Sequence, residues 1–490
     1  MNSMNTTIKQ LVCWSLLCGM ICIATGCSQR PIAQVDLPVT LSEQFSITGD
    51  MPLQNQWWLA LEDQQLNDLI DKALKSNLDL QMAWDRLALA QAQTRKLGAP
   101  LKPSLDATGG IEREVRRSNG TRNTDNTYNL SLGASYEIDL WGKLRSERDA
   151  SVYEQQATQH DVHTAAITLT ASVAQTWYQL IEQRGQIQLL DEQMKINRQV
   201  LELVESRFRR GQAVASDVLR QKALVQSREG DRIVAQGQAQ ILEHQLAVLL
   251  GQLPNTLDVA PPARLITLPQ LPSTGLPLDV IQRRPDVQSA FASIMAADRN
   301  LAQAIADQYP TVSLSLSSGT SAEHLRDLFD NWFANIAANL VAPLFDGGQR
   351  KAEIDRQKAL VSEALHGYHQ TILDAITDVE DALVLESYQA QYIDSLMKEL
   401  QLNRDAVSRI REQYTKGSQD YLNVLDSLLD LQSTERDLLT AREKMIEYRI
   451  ALYRALSGNW EMSQPPLLQI IETEKISPLS SINSQEELAE

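Results

Sequence analysis

Strict alternation of apolar and polar residues marks the candidate β-strands of this chain. Across residues 128–138 every second residue is apolar or aromatic, and those between are small or polar. The same period of two recurs at 312–317 and at 332–340. Such a period is typical of a strand with one apolar and one polar face. A weaker partner strand is predicted at 105–117, followed by a loop at 118–126.

Apolar residues spaced by three and four predict two very long helices. The spacing runs through 144–210 and 350–416, and neither stretch contains proline. At 1.5 Å per residue each helix would be roughly 100 Å long. Each ends in basic residues before a glycine, Gly211 or Gly417, which is a typical helix C-terminus. A second helix then begins near Asp217 or Asp420, so the sequence predicts two antiparallel helical hairpins.

The same element order occurs twice along the chain. Gly142 corresponds to Gly348 and Gly211 to Gly417 at one common offset, which indicates an internal repeat. Six of the 17 prolines crowd into 254–277, which predicts a linker between the repeats. The predicted organisation is a signal peptide at 1–26, a lipid-anchored segment at 27–65, a first repeat at 66–253 (strands about 104–138, hairpin about 144–250), the linker, a second repeat at 278–456 (strands about 311–341, hairpin about 350–456) and a polar C-terminal tail at 457–490.

Four strands are too few to close a barrel in a membrane. About eight strands form the smallest such barrel, and an open sheet edge cannot face lipid. The sequence therefore predicts a mainly α protein with a small β part, whose barrel is completed by other copies of the chain. The alternative interpretation is a coiled-coil protein carrying two β-hairpins outside any membrane.

The N-terminus has the features of an export signal that ends in a lipidated cysteine. Lys9 precedes an apolar run at 11–25, which is too short to span a bilayer comfortably. The small residues before Cys27 resemble a bacterial lipobox. All four cysteines lie at or before position 27, so acylation explains the single thiol that the mature chain would keep. Ser28 favours sorting to the outer membrane; an ordinary signal peptide is the alternative.

Composition and motifs argue against nucleic-acid binding and catalysis. Acidic residues outnumber basic residues by 62 to 45, for a formal charge of −17, and no basic block appears. No Walker loop, Gly-x-Ser-x-Gly or His-Glu-x-x-His pattern occurs. The histidine pairs 160/163 and 366/369 have helical spacing, but surface histidines are far commoner than chelating pairs. No enzymatic activity, metal or other cofactor is expected.

Two motifs at the predicted strand-to-helix junctions resemble the TolC family. They are Tyr-Glu-Ile-Asp-Leu-Trp-Gly-Lys-Leu-Arg at 136–145 and Ala-Pro-Leu-Phe-Asp-Gly-Gly-Gln-Arg at 342–350. Together with the lipobox, they are most similar to the OprM/NodT-type outer membrane efflux lipoproteins. This resemblance assigns Trp141, Gly142, Gly347 and Gly348 to the junctions.

The resemblance implies a homotrimer with a 12-stranded outer-membrane β-barrel and a periplasmic α-helical tunnel. The implied function is the exit duct of a tripartite efflux pump in a Gram-negative bacterium. It would passively conduct drugs, toxic compounds or metal ions from a periplasmic adaptor (membrane fusion) protein and an inner-membrane transporter of the resistance-nodulation-division type. The alternatives are a periplasmic coiled-coil adaptor or spacer lipoprotein, and a TolC-like duct for type I protein secretion. The transported substrate is not specified by the sequence.

The resemblance also implies a gate at the two turns between paired helices. It places Asp217, Tyr414 and Asp426 at gate positions, with Gly211 and Gly417 as the tip-turn glycines. A threefold ring of Asp426 would raise one or more of the carboxyl pKa values, because like charges oppose ionisation. Helix capping is the alternative role for Asp217, and helix-end packing is the alternative for Tyr414. Gln419 and Asn423 stand where TolC has charged residues, so a hydrogen-bonded closure is expected rather than an ionic one.

Overall fold

The computed structural model describes residue 42 and residues 44–118, 120–257, 259 and 261–462. The predicted signal peptide, Cys27 and the tail beyond residue 462 lie outside these residues. Its strands are β1 (Ser104–Ser118), β2 (Thr121–Ile138), β3 (Thr311–Ala322) and β4 (Trp332–Val341). Its helices are α1 (Gln64–Ser76), α2 (Leu78–Gly98), α3 (Lys143–Arg209), α4 (Ala215–Leu249), α5 (Pro277–Arg283), α6 (Pro285–Ala306), α7 (Gln349–Thr415) and α8 (Tyr421–Leu456), with short 3₁₀ turns at Trp57–Leu61, Ala99–Leu101 and Leu325–Asp327.

The four strands form one antiparallel sheet in the order β1-β2-β3-β4. Strands from the two repeats meet at its centre, where β2 pairs with β3. Residues directly opposite each other share a face, so the register separates an apolar face from a face of small and polar residues. One row of the apolar face is Leu105, Ala134, Leu316 and Ile336, and the adjoining row on the other face is Ser104, Ser135, Ser315 and Ala337.

The loop predicted at 118–126 is wrong. β1 runs to Ser118 and β2 begins at Thr121, with the turn around Gly120 between them. In this stretch Arg113 pairs with Asn126 and Glu114 with Asp125, so both strands are polar. The backbone ladder continues without any apolar alternation, and the sequence therefore offered no periodic signal for a strand.

The long helices α3 and α7 are each 67 residues and begin and end one residue before the predicted bounds. α4 and α8 follow them after short turns, and the predicted mainly helical architecture is confirmed. Among the described residues, no helix has both the length and the apolar composition that crossing a membrane requires. The described residues form two compact units, of which the first contains 89–157 and 290–368 with the sheet, and the second contains the remainder.

Aromatic residues from both ends of the described chain contribute to the core of the second unit. Trp57 stacks on Tyr453 with ring centroids 5.6 Å apart, and Trp58 meets Trp460 edge-on at 5.5 Å. Trp460 is buried, so the first residues of the predicted polar tail belong to this core. Asp63 caps α1 by accepting from the Leu66 amide at 3.1 Å.

A buried ion pair joins the linker to the second hairpin. Arg449 of α8 and Glu386 of α7 are both buried, and the Arg449 Nε atom donates to Glu386 Oε2 at 2.9 Å. The guanidinium also donates to the Pro269 carbonyl at 2.9 Å. Removing either partner would leave the other charge buried and unpaired. The hydrogen bond to Pro269 attaches the linker to the second hairpin.

Candidate gate and strand-to-helix junctions

The first junction is a capped helix start that follows β2. The Asp139 carboxylate accepts from the amides of Leu144 at 3.2 Å and Arg145 at 3.0 Å, which are otherwise unpaired donors at the start of α3. Gly142 turns the chain with φ +77°. Trp141 donates from Nε1 to the Pro310 carbonyl at 2.7 Å, so the junction is attached to the segment that enters β3.

The second junction also begins a capped helix, but its loop at 342–348 is longer than the loop at 139–142 in the first junction. The Asp346 carboxylate accepts from the amides of Gly348 at 2.9 Å and Arg350 at 3.3 Å. These backbone bonds, with the Arg350 guanidinium, lower the pKa of Asp346. Gly347 and Gly348 have φ values of +65° and +92°. An aspartate therefore caps the long helix in each repeat.

A third aspartate connects the starts of the two long helices. Asp307, which follows α6, accepts from Lys143 Nζ at 2.5 Å and from Arg350 Nε at 3.0 Å. Sequence reasoning did not single out Asp139, Asp307 or Asp346. Asp139 lies three residues before Gly142 and Asp346 lies two residues before Gly348, so an aspartate shortly before the junction glycine in both motifs was the available signal. Nothing local to Asp307 marked it.

The two tip turns have the same backbone geometry. At the end of α3 the Gln212 amide donates to the Arg207 carbonyl at 2.9 Å and the Gly211 amide donates to the Phe208 carbonyl at 2.9 Å. The end of α7 repeats this pattern around Gly417. It is the Schellman motif, which requires positive φ at the residue after the helix. Gly211 and Gly417 meet that requirement with φ of +72° and +79°.

Arg207 links the two tips. Its guanidinium carbon lies 4.5 Å from the centre of the Tyr414 ring, and its Nη1 atom donates to the Tyr414 carbonyl at 2.8 Å. The Tyr414 side chain is buried, and its hydroxyl has no hydrogen-bond partner among the described residues. Burial raises the pKa of this phenol, the Arg207 charge opposes the shift and the Asp217 charge adds to it. Tyr414 is therefore a neutral, packed aromatic within the protomer.

Tyr421 makes the hydrogen bond that Tyr414 lacks. Its hydroxyl donates to Gln221 Oε1 at 2.6 Å, across from α8 to α4. Gln221 is completely buried and donates in turn to the Asn197 carbonyl at 2.8 Å. Burial raises the pKa of Tyr421, which keeps its hydroxyl protonated as the donor. Neither Tyr421 nor Gln221 was singled out from the sequence.

The other sequence-predicted gate residues lie near the same turns in different roles. Asp217 accepts from the Val214 amide at 3.4 Å and so caps α4. Asn423 donates to Oε1 of Gln419, which lies in the turn before α8, at 2.6 Å. Asp426 is exposed on α8. The structure thus brings Asp217 close to the two tyrosines, pairs Gln419 with Asn423, and leaves Asp426 open to solvent in the protomer.

Polar side chains, all but one of them buried, run along the contact between α3 and α8. We call this set the polar seam; it consists of the buried residues Glu182, Gln186, Gln193, Asn197, Gln432 and Glu443, together with Thr440, which is an exposed residue that donates into the seam. Asn197 and Gln432 exchange amide hydrogen bonds of 3.0 and 3.3 Å. Gln186 donates to the Arg436 carbonyl at 3.2 Å. The two hairpins are joined here by hydrogen bonds as well as by apolar packing.

The described residues contain no group of three histidine, cysteine, aspartate or glutamate side chains placed to hold a metal ion. His160 and His163 have buried Nδ1 atoms without hydrogen-bond partners in the described chain. Burial lowers the pKa of both rings, which favours their neutral forms.

Comparison with known proteins identifies relatives with the same architecture. Pyoverdine export outer membrane protein OpmQ of Pseudomonas aeruginosa is 32% identical over 429 residues, covering 84% of this chain and 89% of that protein. Cation efflux system protein CusC of Escherichia coli is 28% identical over 455 residues, covering 90% and 98%. The solved structure of the outer-membrane channel OprN superimposes with a TM-score of 0.81 at 25% identity, covering 88% of this chain and 99% of that one.

The model of the outer membrane efflux protein family matches residues 69–252 and 276–458. This match confirms the resemblance drawn from the junction motifs. The chain belongs to the outer membrane efflux protein family and is an outer-membrane efflux channel of the TolC and OprM type.

Proposed function

We propose that this protein is the trimeric exit duct of a tripartite efflux pump. Three copies contribute four strands each to a 12-stranded barrel, and their helical hairpins form a tunnel in the periplasm. The duct conducts small molecules or metal ions passively, with no catalytic step and no cofactor. A periplasmic adaptor and an inner-membrane transporter, of the resistance-nodulation-division type, supply the substrate and the energy.

The main support for this proposal is the four-stranded sheet, with its unpaired edges and exposed apolar face. Within the described residues β1 and β4 each pair on one side only, and the apolar face is exposed, with Leu105 at 72% and Ile336 at 80%. A solitary four-stranded sheet with such a face is unsuited to water, because its edges and its apolar side chains both lack partners. Closure through further copies in a lipid bilayer satisfies both needs.

The gate belongs to the same proposal. Asp217, Tyr414, Gln419, Asn423 and Asp426 form the periplasmic constriction, where three copies of the tip turns converge. The Gln419 to Asn423 hydrogen bond and the buried Tyr414 support a neutral closure, and exposed Asp426 supports an axial carboxylate ring. Cys27 carries the acyl chains that attach the N-terminus to the outer membrane.

Two measurements on purified protein test the architecture. Native mass spectrometry in detergent should give a trimer, and planar bilayers should show ion conductance. A monomer or dimer as the sole stable species would contradict the trimeric barrel. Absence of conductance would instead favour a periplasmic spacer or adaptor lipoprotein. The pump and adaptor that co-purify with the native protein identify the substrate class and separate drug or metal efflux from type I protein secretion.

A matched pair of substitutions tests which face meets lipid. Ile336 and Ala337 are neighbours on β4 and occupy opposite faces. Ile336→Lys should reduce barrel assembly, because a cation on the lipid face costs about 2–4 kcal/mol at the bilayer midplane. Ala337→Lys should assemble normally and shift the conductance toward anions. The reverse pattern would mean that the two faces have been assigned the wrong way round.

A further inference from the structure

Two carboxyl groups of the polar seam are buried where the first hairpin meets the second. Glu182 of α3 and Glu443 of α8 are each 5% exposed. Glu182 accepts from Thr440 Oγ1 at 3.0 Å and from Gln186 Nε2 at 2.8 Å, so its charge is hydrogen-bonded. The Glu443 Oε1 atom has no hydrogen-bond partner in the described part of the chain. Thr440 and Glu443 are three residues apart and share one side of α8, and the Glu182 charge acts on Glu443.

The neighbouring charges do not neutralise the negative charge that Glu443 would have when ionised. Glu182 faces it from α3, and Glu447 on its own helix is also negative. Lys444 is the one nearby cation among these groups, and Glu447 already pairs with it. From α7 the neutral side chain of Gln389 donates to the Ala441 carbonyl at 2.8 Å, two residues before Glu443. Burial, followed by the charge of Glu447, raises the pKa of Glu443 to about 7.

A proton is the occupant that this site fits best. An ionised carboxylate without hydrogen bonds is costly in a buried position, and protonation removes that cost. A metal ion needs more ligands than the two carboxylates supply, and the described residues contain no larger group of this kind here.

We propose that Glu443 makes the contact between α3 and α8 sensitive to pH, so that the polar seam is closed when Glu443 is protonated and loosens when Glu443 ionises. This inference concerns packing between the two hairpins and goes beyond conduction as such. It would let the pH of the periplasm adjust how readily the hairpins separate.

The direction of this pH dependence follows from the difference in proton affinity between the closed and the open seam. If separation exposes Glu443 to water, its pKa returns toward the ordinary value of 4.5. The closed seam then binds the proton more tightly than the open seam, so closure is favoured at low pH and is lost as the pH rises through about 7. Between pH 6 and pH 8 the open fraction of the seam should increase about tenfold.

Hydrogen exchange on the full-length protein in detergent tests this directly. Protection factors, which already correct for the intrinsic effect of pH on exchange, are compared at pH 6 and pH 8 for peptides of α3 and α8 around Glu182 and Glu443. Wild-type protection should fall about tenfold at pH 8. Glu443→Gln should keep equal protection at both values. Asp437→Asn, the same charge change at an exposed position of α8, should behave as the wild type does.

A second variant keeps the test decisive if Glu443→Gln fails to fold. Glu182→Gln removes the facing negative charge, which lowers the pKa of Glu443 and should shift the loss of protection to lower pH. Unchanged wild-type protection between pH 6 and pH 8, or the same fall in Glu443→Gln as in the wild type, would overturn the proposal. The measurement needs no ion conductance, so its outcome is independent of whether the protein proves to be a duct.

Discussion

At the scale of single residues, the two buried tyrosines of the tip have opposite hydrogen-bonding status. Tyr421→Phe leaves the fully buried Gln221 acceptor unpaired, which should destabilise the protein by about 1–3 kcal/mol. Tyr414→Phe removes a hydroxyl that has no partner among the described residues, so no hydrogen bond is lost there and the change in stability should be close to zero. Thermal unfolding of both variants in one detergent measures the difference. Equal losses would show that Tyr414 has a partner in the assembled trimer.

Asp426 allows a test of the gate by charge alone. It is exposed in the protomer, so Asp426→Ala should fold normally. If three copies surround the axis, the variant should conduct cations less selectively and be blocked less by multivalent cations, because the carboxylate ring that attracts them is gone. Bilayer recordings with Asp437→Ala as the exposed control on the same helix measure both effects. Unchanged selectivity and block would exclude Asp426 from the constriction.

At the scale of elements, the sequence predicted the helices and strands that have regular apolar spacing or a terminal glycine. It did not predict the polar contacts between helices. The long helices were predicted to within one residue, because their apolar spacing contains no proline and a glycine stands just outside each end: Gly142 and Gly348 before the helices, Gly211 and Gly417 after them. The polar half of the β1–β2 hairpin was missed because strands exposed on both faces carry no alternation. Asn197 and Gln432 of the polar seam were missed for a similar reason. Both are buried, but in the sequence they cannot be told from exposed polar residues of a helix.

The residues of the candidate site also fall into those that the sequence predicted and those that it did not. The tip turns and the positions of Tyr414, Gln419 and Asn423 follow from local sequence and the family motif. The sequence did not indicate the contacts made by Arg207, Gln221 and Tyr421. These contacts form because helices distant in sequence pack together, and no spacing within one helix indicates which helices will meet.

At the scale of the whole molecule, the acyl anchor should be separable from assembly. Cys27→Ser removes the proposed acylation site, while every strand and helix described here lies beyond residue 27. We expect labelled palmitate incorporation to be lost and trimer formation to persist, with less efficient retention in the outer membrane. Palmitate incorporation at the wild-type level in the variant would mean that another residue is acylated.

The pairing of β2 with β3 also determines the order in which this chain can fold. Tyr128 pairs with Ala322, on the far side of the whole first helical hairpin and the linker. Helical hairpins form through local contacts and fold fast, whereas a pairing this distant in sequence must wait for its partner and pays a larger loop-closure entropy. The β1–β2 hairpin therefore has an unpaired, partly apolar edge until β3 pairs with β2. During that interval the unpaired edge can pair with another chain, which is a route to aggregation.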